Sequence, residues 1–181
     1  MRPTHSLLAS FLLLLATSCG PSDPGTLIDE GFNTLSQDRQ ASFASFEEAL
    51  AGIDATHPRF KEATIGKLRA QAFLDPAAAK DGFLAFAAEG QVDSSDYNLL
   101  ATDFCAAAKT QAASGAEEDK DAALKTVDFA VAIVKAGEDT FASKEKFLTL
   151  VSNVGKTAEK LGADASTLEA LAGLGYVGGS D

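Results

Sequence analysis

The sequence predicts an all-α domain, and three observations carry that expectation. Apolar residues recur at steps of three and four along most of the chain. No segment alternates apolar and polar residues over the length of a strand. Alanine is abundant and β-branched residues are thinly spread, which favours helices and lets them pack closely. Capping signals then divide the chain into helices near 26–36, 40–54, 59–74, 76–89, 94–112, 117–136, 142–161 and 166–173.

The elements follow in order from the N-terminus. Met1 to His5 is short and basic, Ser6 to Ala16 (SLLASFLLLLA) is an apolar run, and Thr17 and Ser18 lead into Cys19. That order of basic, apolar and small residues is a secretory signal peptide over residues 1–18. Its eleven-residue apolar run is too short to span a hydrocarbon core, which needs about 20 residues. Ala16-Thr17-Ser18-Cys19 resembles the lipobox of bacterial lipoproteins. The resemblance implies that Cys19 is acylated and becomes the mature N-terminus. Gly20 rather than Asp follows it, which in the resembling Gram-negative proteins favours the outer membrane. Residues 19–25 are then the lipidated Cys and a flexible Pro/Gly/Ser tether, 26–173 a helical domain, and 174–181 a C-terminal tail.

Within the domain, Asp75-Pro76 places an N-cap acceptor before a proline at the first helical position. Ser114-x-x-Glu117 and Ser166-x-x-Glu169 match the capping box. Gly90, Gly137 and Gly162 follow apolar runs where a left-handed residue ends a helix. Phe147, Val151, Val154, Ala158 and Leu161 form one apolar stripe, and Leu124, Val127, Val131 and Val134 another. Each stripe must be buried against a neighbouring helix.

The first, third and fifth helices begin about 33 and then 35 residues apart, near the roughly 34-residue period of helix-pair repeats. Tyr97, Leu100, Ala101 and Phe104, followed by Ala123, Val127 and Ala130, resemble the two helices of a tetratricopeptide (TPR) unit. Leu27, Gly31, Ser42, Phe46 and Ala49 resemble an earlier unit, and Ile65, Gly66, Ala78 and Ala85 a middle one. Glu62 and Arg69 stand where that pattern usually has aromatics, and the loop at 113–116 is longer than it allows. The resemblance implies antiparallel helix pairs stacked as a short solenoid, with 142–173 capping the stack. An irregular helical bundle is the alternative. In a TPR-like stack the first helices line a groove for a peptide or partner helix. Asn33, Lys67, Arg69, Asn98 and Asp103 are the candidate groove residues, with Asp29 and Lys109 beside them.

Charge and rare residues limit the chemistry. The chain carries 15 Lys+Arg against 26 Asp+Glu, a formal charge of −11. Loss of residues 1–18 removes Arg2 alone among the charged residues and leaves −12. Such a balance disfavours nucleic acid and anionic lipid surfaces, so membrane contact is expected through the acyl anchor alone. With Cys19 acylated, Cys105 has no disulfide partner and is read as a buried apolar side chain. His57 is the sole imidazole after the leader and lies in a pre-proline turn, Asp54 to Pro58. Glu117, Glu118, Asp119 and Asp121 sit where a helix start favours negative charge, without the spacing of a calcium loop. No nucleophile elbow, phosphate-cradling loop or dinucleotide fingerprint is present.

These readings lead to an expectation of a bacterial lipoprotein whose domain is a non-catalytic protein-interaction scaffold at the cell envelope. No cofactor and no metal are expected. Two other readings stand beside it: a soluble exported helical protein binding a small ligand, and an enzyme without a recognisable signature.

Overall fold

Asp23 caps the first helix of the described residues. Its carboxylate accepts from the Thr26 backbone N–H at 3.0 Å, and Pro24 occupies the first helical position. The structure, a computed structural model, describes residues 23–179. The expected signal peptide (1–18), Cys19 and the first residues of the expected tether lie outside the described residues. Helix α1 (Pro24–Thr34) is followed by α2 (Arg39–Ala51), α3 (Phe60–Leu74), α4 (Pro76–Ala88), α5 (Ser94–Ala112), α6 (Glu117–Gly137), α7 (Lys144–Leu161) and α8 (Ala165–Gly173). One 3₁₀ turn, Glu138–Thr140, links α6 to α7, and no strand occurs among the described residues. The all-α class and all eight expected helices are present.

The helix ends refine the sequence reading. Pro24 and Gly25, assigned to the tether, are helical because Asp23-Pro24 repeats the start signal of Asp75-Pro76. The capping boxes at Ser114 and Ser166 do not form. Ser114 Oγ donates to Asp119 Oδ2 at 2.5 Å, leaving Ala116 as the N-cap of α6. Asp164, two residues upstream of Ser166, accepts from the Thr167 N–H at 2.9 Å and starts α8 early. A reciprocal box is built instead by Asp93 and Asp96 at the start of α5, with Asp96 accepting from the Asp93 N–H at 2.9 Å. Gly162 and Gly90 are left-handed (φ 78° and 74°). Gly137 is not (φ −91°): the chain runs on into the 3₁₀ turn, and the Tyr97 ring occupies the space a Cβ would need.

Neighbours in sequence pack on one another, α1 with α2, α3 with α4, α5 with α6 and α7 with α8, and also α2 with α3 and α6 with α7. Alternate helices also touch: α1–α3–α5–α7 lie side by side, as do α4–α6–α8. This packing is consistent with stacked helical pairs. Close approach depends on glycine facing an aromatic ring. Phe46 of α2 is fully buried between Gly31 of α1 and Gly66 of α3. A methyl at Gly31 would lie 2.8 Å from the Phe46 ring, and one at Gly66 closer still.

Two apolar clusters result, with α3 as their joint. Ala63 and Ala70 face the first cluster with Leu27, Ile28 and Phe46. Ile65, Leu68 and Ala72 face the second, with Phe83, Leu100, Phe104, Val127, Leu150 and Leu171. Burial on two sides explains why α3 lacks a clean apolar stripe. Tyr97, Leu100, Ala101 and Phe104 on α5 and Ala123, Val127 and Ala130 on α6 are all buried, whereas Leu124 of the α6 stripe is only half-buried. On α4 the register differs by one: Ala79, Phe83 and Phe86 are buried, whereas Ala85 is exposed and Ala78 only half-buried. The Phe83 ring meets Tyr97 edge-on at 5.0 Å, so the aromatic rather than the small residues sets which face of α4 turns inward. In the tail, Tyr176 packs on Gly155 of α7, while Val177 is 87% exposed.

Candidate interaction groove

The odd-numbered helices form one face with three seams, and the seams differ in charge. At α1–α3, Arg59 donates to Asp29 Oδ1 at 2.7 Å, to the Gly25 carbonyl at 3.1 Å and to Glu62 Oε2 at 2.7 Å. At α3–α5, the Lys61 ammonium lies 2.7 Å from Asp93 and 2.8 Å from Asp96. Further along the same seam Arg69 Nε donates to Asp103 Oδ2 at 2.6 Å. Burial pushes the Asp103 carboxyl up, opposed by that bond and by the neighbouring Arg39 and Arg69 charges. Arg39 stacks on Phe73 with its guanidinium carbon 3.8 Å from the ring centroid. Both seams are thus bridged by their own ion pairs, beside a largely apolar depression of about 330 Å³ among Phe32, Lys61, Glu62, Ile65, Arg69 and Leu99.

The α5–α7 seam is built differently. Ser94, Ser95, Asn98, Thr102 and Lys109 descend one side of α5, facing Lys146, Thr149, Asn153, Lys156 and Lys160 at steps of three and four on α7. They line two adjoining depressions of about 350 and 500 Å³. Leu150 and Val154 form the floor, together with Cys105 and Thr157. The Thr157 hydroxyl is spent on the Asn153 carbonyl at 2.9 Å. No carboxylate lines either depression; Glu145 alone lines the shallower continuation along α7. Lys109, Lys146, Lys156 and Lys160 are exposed, and none of them joins an ion pair among the described residues.

The residues expected to line a groove are therefore divided. Asn98 is exposed in the α5–α7 seam. Arg69 and Asp103 meet each other across α3–α5, and Asp103 is only 8% exposed. Lys67 turns away from this face, donating to Glu47 of α2 at 3.1 Å and lying 5.1 Å from the Phe43 ring. Asn33 is exposed on α1 and lines no seam depression. The sequence does not single out the lysines of α7, because a polar row opposite an apolar stripe has the same pattern whether it meets solvent or lines a groove. Their signal was Lys146, Thr149, Asn153, Lys156 and Lys160 at helical spacing without an interleaved carboxylate.

Burial pushes the Cys105 thiol up, away from the thiolate that nucleophilic chemistry needs. His57 accepts from the Arg59 N–H at 3.2 Å within its turn. No cluster of three or more His, Cys, Asp or Glu suited to a metal occurs among the described residues. Among the same residues no helix is long and apolar enough to cross a membrane. What this seam offers is ammonium, hydroxyl and amide groups along an open channel, a set suited to holding an extended polar chain. Comparison with protein-family models, curated proteins and solved structures finds no match.

Proposed function

We propose that this chain is a lipid-anchored bacterial envelope protein that holds a partner polypeptide on the face formed by α1, α3, α5 and α7. The observation that carries the binding reading is the open α5–α7 seam, lined by polar side chains that the protein's own ion pairs leave free. The helix pairs serve as a stiff support, in the manner of TPR-like repeats: each inner helix presents one face outward while its partner buries the other. The anchor reading rests on the leader and on Cys19. A bacterial lipoprotein carries several acyl chains, and more than one chain makes attachment effectively permanent.

Two measurements test the proposal. Replacing Cys19 by Ala should move the protein from the membrane fraction to the soluble fraction; continued sedimentation with membranes would refute the anchor. A photo-crosslinking residue at Asn98 or Thr149 should give a discrete adduct in intact envelopes, and one at the exposed Ala85 of α4 should not. Equal adducts at all three positions, or none at any, would refute a partner on this face.

A further inference from the structure

We propose that the α5–α7 seam reads carboxylates: its occupant is an acidic, extended polypeptide segment of a partner protein. The inference rests on the partner-binding reading above and adds the chemistry of what is bound. Its basis is the contrast between seams. In a chain with 26 acidic and 15 basic residues, Lys61, Lys67 and Lys80 each pair with a carboxylate, and Lys61 does so in the neighbouring α3–α5 seam. Four lysines instead converge on one seam that only Glu145 approaches. Glu159, the other nearby α7 carboxylate, faces the tail at Gly178.

The spacing fits an extended chain. Lys146 to Lys160 spans fourteen residues of α7, which is about 21 Å at 1.5 Å per residue. An extended segment covers that in about six residues. Lys109, Lys156 and Lys160 share one depression and would pair with carboxylates at one end, Lys146 with one at the other. Asn98 and Asn153 lie between them with amide donors for the backbone carbonyls of the segment.

Charge also selects among anions. Beyond about 8 Å at physiological salt the groove's field is screened, so a segment lying in it feels the lysines. A duplex or a bilayer reaches past the seam and meets the surface of a chain at −11.

The probe is a fluorescein-labelled peptide of about twelve residues, alternating Glu and Asp with Gly, followed by anisotropy on the full-length chain. Its Gln/Asn counterpart, a single-stranded oligonucleotide and vesicles containing anionic lipid are the comparison ligands. The acidic peptide should bind more tightly than all three and release as salt is raised. Each exposed ion pair is worth up to about fivefold in affinity. Lys156→Gln with Lys160→Gln should therefore weaken the peptide by about five- to twentyfold, and Lys109→Gln on the other helix by up to about fivefold. Lys125→Gln with Lys135→Gln on α6 should stay within about twofold, and all variants should keep the wild-type circular dichroism. Equal binding by the seam variants, or oligonucleotide or vesicle binding as tight as the peptide, would overturn the proposal. The Asn98 crosslink separates the two readings. An adduct that persists in the Lys156→Gln, Lys160→Gln chain overturns the carboxylate chemistry and leaves the partner-binding face standing. An adduct missing from wild type removes the face itself.

Discussion

Phe46 is the side chain on which the joint between the first three helices depends. It is 0% exposed, lies edge-on to Phe32 with ring centroids 4.8 Å apart, and presses on Gly31 and Gly66 from one side each. Phe46→Ala should cost about 3–5 kcal/mol, a transfer and cavity loss at a site whose neighbours are helix backbones that cannot collapse inward. For a domain of this size the melting temperature should fall by roughly 6–20 °C. Gly66→Ala tests the geometry more sharply, because its sign depends on Phe46. In wild type the new methyl enters the Phe46 ring, an overpacking cost of about 1–3 kcal/mol, partly offset by about 1 kcal/mol of helix propensity. In the Phe46→Ala background the ring is gone and only the propensity gain remains. Gly66→Ala should there stabilise by about 1 kcal/mol, giving a coupling of about 1–3 kcal/mol across the double-mutant cycle. Urea unfolding of the four proteins at constant m-value reads all of it. A Gly66→Ala effect of the same sign and size in both backgrounds would refute the wedge.

Other consequences follow from single sites. Lys61, bonded to Asp93, holds that carboxyl below the usual carboxylate range. A depressed folded pKa contributes stability present above the ordinary value near 4 and lost as pH falls through the folded value. Asp93→Asn, which keeps an N-cap acceptor, should flatten this acid limb below about pH 4, measured as the urea midpoint against pH; an unchanged limb would assign it elsewhere. The Cys105 thiol is 6% exposed and raised by burial, so a disulfide reagent should label it at the rate of opening, with acceleration in urea. Immediate stoichiometric labelling of the native chain would contradict that burial. Tyr176 packs on Gly155 but its hydroxyl has no hydrogen-bond partner. Tyr176→Ala should cost about 2–4 kcal/mol, whereas Tyr176→Phe should be neutral or stabilise by up to about 1 kcal/mol. Thermal unfolding separates the two, and a Phe variant as unstable as the Ala variant would mean that the hydroxyl is bonded.

Local signals were legible where chemistry and geometry coincide within one turn. Asp75-Pro76, Gly90 and Gly162 act as the sequence implies, because a cap or a left-handed stop depends on its own few residues. Gly137 has the same local context and a different use, since Tyr97, forty residues earlier, requires the missing Cβ. The stripes on α6 and α7 were readable because each of these helices buries one main face. The facing of α4 was not: Ala78-Ala79 and Ala85-Phe86 offer two registers of almost equal local merit, and contact with Tyr97 chooses between them.

From its amino acids alone this chain is committed to helices and to their approximate limits, because propensity, capping and period are properties of neighbours in sequence. Which lysines stand beside a carboxylate is a different kind of property. Lys61 and Lys156 look alike on their helices, yet one is matched by Asp93 and Asp96 on α5 and the other shares its depression there with Thr102, Ala106 and Lys109. Packing between helices made that difference: Coulomb attraction acts over a few ångströms of space, and only the assembled seams bring the partners within reach.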